Sequence, residues 1–145
     1  MSLKQAAWTH GTSVQFENKS WEVRCLRQGF FTTVVPSNEA TSGWVHFAIP
    51  TPVIVNDVRL KAQSAMIRFT TGPQASIGAF HAFDGETRIL EHNGTNYKGN
   101  LQFVREIIPN MPAVAWGTGI SILLNFNGTG PDAWVQLISA GIDFH

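Results

Sequence analysis

Phe80-His81-Ala82-Phe83-Asp84-Gly85-Glu86-Thr87-Arg88-Ile89-Leu90 decides the fold class. Apolar and β-branched runs flank an Asp-Gly pair, the strongest short-range hairpin signal a chain can carry. The arms are expected over residues 77–83 and 87–92, with Asp84 as the first central residue of the turn. Working outward, similar short runs closed by Gly, Pro, Asn or Asp fill almost the whole chain. Residues 13–17 alternate, with Val14 and Phe16 on one face; residues 21–26 follow as a strand with Trp21, Val23 and Cys25 on one side. Residues 30–35, 44–49, 53–61 and 65–71 read as further strands, and Pro50-Thr51-Pro52 as a corner where the chain changes sheet. Beyond the hairpin, residues 102–108, 119–126 and 134–144 complete the set. Period-two patterning recurs and no stretch sustains a 3.6-residue period.

The implied architecture is all-β: a two-layer antiparallel β-sandwich of jelly-roll type, with a closed β-barrel as the alternative. Residues 8–145 are expected to form one domain, and residues 1–7 a disordered or vector-derived leader. With 43% hydrophobic residues, ten Phe and five Trp among them, a core forms without a metal or disulfide staple. Cys25 is the only cysteine, and its strand-like setting suggests a small buried hydrophobe.

Charge excludes several partners. Only 14% of residues are charged, ten of each sign, which leaves no electrostatic footprint for nucleic acid or an anionic membrane. No apolar run reaches bilayer length, and the N-terminus lacks the apolar core of a secretion signal, so a cytoplasmic location is expected. Low charge with a high apolar fraction suits a homo-oligomer, most simply a two-fold dimer.

Signatures of catalysis are missing. His10, His46, His81, His92 and His145 do not stand at metal-ligand spacing, so neither a metal nor another cofactor is expected. His81 is read in phase with Ile77, Ala79 and Phe83 at the edge of the core. Asp57, Asp84, Glu91, Glu106 and Asp132 form no recognisable acid/base pair, and Glu106 alternates with Val104 and Ile108 in a phase compatible with burial. Gly117-Thr118-Gly119 and Gly128-Thr129-Gly130 lack the following helix of a phosphate loop. No residue is assigned a catalytic role.

Aromatic residues outside the alternating pattern are the remaining signal. Trp8, Tyr97 and Trp116, with His10 and Asn96 as polar neighbours, are the candidate ligand-binding residues, because flat rings beside hydrogen-bonding groups suit a sugar or another small polar ligand. The loops 36–43, 93–100 and 109–119 would build the site by clustering at one end.

Five runs carry a resemblance. They are Trp8-Thr9-His10-Gly11-Thr12-Ser13-Val14, His46-Phe47-Ala48-Ile49-Pro50-Thr51-Pro52-Val53-Ile54, Asp84-Gly85-Glu86-Thr87-Arg88-Ile89, Trp116-Gly117 with Gly119-Ile120-Ser121, and Ser139-Ala140-Gly141-Ile142-Asp143-Phe144. From Trp8 onward the chain resembles a family of small bacterial β-rich proteins, a domain of unknown function. The resemblance implies a soluble, single-domain protein and lends no activity, ligand or site residue. The functional expectation is therefore a non-enzymatic binding module for a carbohydrate, another small polar ligand or a protein partner. The alternatives are a self-associating structural protein and a metal-dependent or carboxylate-based enzyme.

Overall fold

A computed structural model describes residues 3–145. The chain begins with strand β1 (Gln5–His10), a 3₁₀ turn (Gly11–Ser13), β2 (Gln15–Phe16), helix α1 (Lys19–Arg24), β3 (Leu26–Gln28) and β4 (Phe31–Val34). β5 (Ser42–Ile49) leads through a small hairpin, β6 (Ile54–Val55) and β7 (Val58–Arg59), into β8 (Ala62–Thr71). The hairpin of β9 (Ala75–Asp84) and β10 (Thr87–Tyr97) follows, then β11 (Gln102–Ile107), β12 (Thr118–Phe126) and β13 (Val135–Phe144).

Apart from the two-stranded β6–β7 hairpin, these strands form two antiparallel sheets. One has the order β11-β8-β13-β4-β3, with β1 also paired to β13; the other has the order β10-β9-β12-β5-β2. Neither closes on itself, so the fold is a jelly-roll-like sandwich and the closed-barrel alternative is set aside. Alternation explains the packing: Val45, Phe47 and Ile49 of β5 and Ile120, Ile122 and Leu124 of β12 meet Ile67, Phe69, Ile142 and Phe144 of the other sheet, all buried. Every second residue of the same strands therefore faces outward. Those outward rows carry the chemistry.

The structure corrects several expectations, each for a local reason. Residues 21–26 are not a strand: Asn18 caps α1 by accepting a hydrogen bond from Ser20 N at 2.9 Å, and the helix ends at Cys25. One residue anchors this short helix. Trp21 is fully buried, packs edge-on to Phe126 and donates through Nε1 to Ala40 O. Cys25 is accordingly half-buried, with its thiol donating to Glu22 O, instead of lying in the core. Residues 53–61 break into two short strands around Asn56 and Asp57, whose φ angles of 51° and 61° suit a tight hairpin turn.

Gln5–Ala7, expected to lie outside the domain, pair with Phe144–Ile142; Met1 and Ser2 fall outside the described residues. Residues 93–97, expected in a loop, extend β10 through a register shift to Tyr97. A second irregularity changes a side-chain assignment. Leu123 pairs with Ala79 but Leu124 pairs with Ile77, so Gly78 bulges and the strand phase flips. Ile77, Phe80 and Ala82 then point to the core, while His81 and Phe83 point outward.

Candidate functional site

The outward face of the five-stranded sheet carries a continuous polar row. Register pairs align Gln15, His46, Ser121, His81 and Glu91 across β2, β5, β12, β9 and β10. His46 is the hub. Its Nδ1 lies 2.7 Å from Ser121 Oγ and its Nε2 lies 2.6 Å from Glu17 Oε2. Beside it, His81 Nε2 lies 2.8 Å from Asn93 Oδ1. Ser121 and His81 are 7% and 8% exposed, so their polar atoms are held in place by these partners.

Aromatic rings wall this row. Trp44, two residues from His46 and therefore on the same face, sits 4.8 Å from the His81 ring; Phe83 lies 6.4 Å beyond on the other side. Between the walls are two connected hollows. The smaller, about 260 Å³, is lined by Glu17, Trp44, His46, His81, Phe83 and Ser121. The larger, about 390 Å³, shares His46, Phe83 and Ser121 and runs on past Gly119 to Gly85 and Gly117. Gly119 pairs with Ala48 on one side and Phe83 on the other, so the floor there is backbone. Among the described residues, neither lining includes Lys or Arg.

Trp116, 77% exposed, stands beside Gly85 where that residue lines the larger hollow, without itself entering the lining. Asp84 holds it there. The turn of the β9–β10 hairpin is Gly85-Glu86, because Thr87 pairs with Asp84; Asp84 is thus the last residue of β9, not the first central residue of the turn. That placement points its carboxylate at the neighbouring loop, where it accepts hydrogen bonds from Ala115 N and Trp116 N at 2.9 Å and Gly117 N at 3.2 Å. A Cβ on Gly85 would lie 2.9 Å from Trp116 Cβ, so the turn glycine makes room for the indole as well as supplying a φ of +56°.

The other candidates do not join this site. Trp8 and His10 lie on β1, on the outer face of the opposite sheet. Asn96 is exposed within the irregular stretch of β10, with a φ of 50°. Tyr97 bridges the edges of the two sheets: its hydroxyl donates to Glu106 Oε2 at 2.9 Å, while His92 Nδ1 lies 2.7 Å from Glu106 Oε1. Burial first, then the hydrogen bond to Glu106 and its negative charge, push the Tyr97 phenol up to about 12. The loops 36–41 and 98–101 sit toward the Phe126 end of β12 and residues 115–117 at its Thr118 end, so the three loops do not cluster.

The residues that do cluster were hidden by distance in the chain. Trp44, His46, Ser121 and His81 come from three strands, and the outward phase of His81 was itself masked by the bulge at Gly78. The Ser121–His46–Glu17 chain has the order of a nucleophilic relay. Ser121, however, lies mid-strand in a ladder paired on both sides, where the backbone does not turn its N–H groups toward an oxyanion. The hydrogen bonds of His46 fix the orientation of donors and acceptors along the groove. Among the described residues, no three His, Cys, Asp or Glu side chains converge to hold a metal ion, and no helix is long and apolar enough to cross a membrane.

Comparison with known proteins agrees with the architecture. The chain is similar to a low-affinity xylan-binding module of the gut symbiont Roseburia intestinalis, with 8% identity over 98% of this chain and 97% of that one and a TM-score of 0.55. It is also similar to the catalytic unit of a thermostable α-1,3-glucanase from Streptomyces thermodiastaticus, with 10% identity over 95% of this chain and 26% of that one and a TM-score of 0.50. At such identities the likeness is one of fold. No curated protein matches the chain. The model of one family matches residues 2–145, so this sandwich belongs to the family of unknown function DUF6623.

Proposed function

We propose that the protein is a carbohydrate-binding module whose site is the groove on the outer face of the five-stranded sheet. The observation that carries this reading is the combination of aromatic walls, Trp44 and Phe83, with a fixed polar row of His46, Ser121 and His81, the last held by Asn93; the exposed Trp116 stands beside Gly85 at one end. A sugar ring presents an apolar C–H face and an equatorial rim of hydroxyls. The walls suit the first by stacking, and the row, already oriented by its own hydrogen bonds, suits the second at little entropic cost.

Lining groups without Lys or Arg, and with Glu17 exposed, favour a neutral saccharide over an anionic one. The open trough favours a chain that runs through over a single enclosed ring. A xylan-binding module is built on the same sandwich, so xylan belongs in the test panel. Affinity electrophoresis in gels containing xylan, laminarin or a mixed-linkage glucan is the test. Retardation by at least one neutral polymer, weakened in Trp116→Ala and Trp44→Ala, is the expected outcome. Free migration in all three gels sinks the reading.

A further inference from the structure

The opposite outer face carries a second aromatic surface of different chemistry. In the six-stranded sheet, Trp8, Gly141, Met66 and Arg105 form one outward row; His10, Ser139, Arg68 and Phe103 form the next; Ala6, Asp143, Ser64 and Ile107 form a third. Gly141 is the seat of the Trp8 ring. A Cβ there would lie 2.6 Å from Trp8 Cδ2 and 2.9 Å from Cε3, so the indole lies down on the bare backbone. It reaches across to Phe103, with ring centroids 6.3 Å apart and planes only 33° from parallel. Trp8 is 43% exposed and Phe103 50%, so the two rings share a broad open face.

Two guanidinium groups flank these rings. Arg105 Nε is 3.5 Å from Asp143 Oδ2, and Arg68 donates through NH1 to Leu101 O at 2.8 Å. Neither interaction closes off the fork: the Arg105 side chain remains 39% exposed and Arg68 is half-buried. Asp143 is the only acid in the three rows; it is 7% exposed and also accepts from Ser64 Oγ. The face is therefore apolar at its centre and net positive at its rim.

We infer that this face is a second saccharide-binding surface, on which Trp8 and Phe103 stack against the rings of an acidic polysaccharide while Arg68 and Arg105 receive its carboxylates. Charge complementarity selects this occupant. Guanidinium forks bind carboxylates in two-point hydrogen-bonded pairs, and exposed rings tilted by 33° to one another offer stacking faces for the C–H sides of successive pyranoses. The assignment is independent of the neutral groove, because it uses other strands, the opposite sheet face and a different charge. A module with both surfaces gains avidity on a mixed polymer matrix without new contacts at either one.

Affinity electrophoresis with polygalacturonate and with alginate tests it. The expected result is retardation by at least one of them, falling with added salt and about tenfold weaker in Phe103→Ala and in Arg105→Gln. Both substitutions avoid β1, and unchanged melting temperatures establish that the variants are folded. Free migration in both acidic gels overturns the proposal, as does retardation that neither substitution weakens. Light scattering that finds a dimer converted to a monomer by Phe103→Ala also overturns it, by assigning the face to a second copy of the chain. A xylan, laminarin and glucan series on the same variants separates the two surfaces: neutral binding alone leaves the groove and removes this face, and acidic binding alone does the reverse.

Discussion

Gly119 and Gly141 occupy equivalent places, each on a central strand with its missing side chain on the outer face, yet the molecule uses them in opposite ways. Gly141 is covered: an added Cβ would meet the Trp8 ring at 2.6 Å and Ala7 O at 2.8 Å. Gly119 is uncovered: an added Cβ would find only Phe47 O, at 3.4 Å. One glycine seats an aromatic ring and the other floors a trough. An outward glycine in a sheet is thus not one signal but two, and the neighbouring strand decides which.

If Gly141 and Gly119 differ in this way, the two sites respond differently to substitution. Gly141→Ala should be the most damaging change, about 3 kcal/mol, because backbone on the Ala7 side cannot yield and the indole must lift. Denaturant titration reads the loss, and a shift in indole fluorescence reports the lifted ring. A stability equal to the parent's would show that Trp8 is not seated there.

Asp84→Ala should cost about 2 kcal/mol, since three backbone N–H groups lose a charged acceptor at once. Hydrogen exchange at residues 115–117 should speed up selectively. Slow exchange throughout that loop would show that something other than Asp84 holds Trp116.

Tyr97→Phe should cost about 1 kcal/mol near neutral pH through the lost bond to Glu106. The folded phenol is raised to about 12 from 10, so its contribution is whole below pH 10 and is lost as pH climbs toward 12. The parent should therefore lose its advantage over Tyr97→Phe across that window. Tyr97 is the only tyrosine, so phenolate absorbance titrates it alone. Ionisation at the ordinary tyrosine value in the folded protein would contradict the clasp.

Gly119→Leu should be the mildest change in stability, within about 0.5 kcal/mol, while filling the trough and abolishing saccharide retardation. Retained binding would move the site off this groove. Taken with Gly141→Ala, it sharpens the contrast: one substitution costs fold, the other function.

What was legible in the chain was whatever depends on near neighbours. The phase shared by Ile120, Ile122, Leu124 and Phe126, all buried, sets an inner and an outer face within one strand. Asp84-Gly85 with flanking apolar runs located the hairpin. Both are local, because a strand turns its side chains over every second residue whatever it pairs with. The single turn of helix at 19–24 was not legible, since six residues show no period and the buried Trp21 that stabilises them finds Phe126 and Ala40 only after folding.

Residue identity alone thus determined that this protein is a stack of pleated strands with a greasy inside and a sparsely charged outside. Tertiary structure decided the rest: that His46 faces Ser121 across 75 positions, that the bulge at Gly78 turns His81 outward, and that Asp84 reaches a loop 31 residues away. The reason is physical. Side-chain alternation is a property of one strand, whereas a groove is a property of which strands lie side by side, and that order is set by the packing of the whole core.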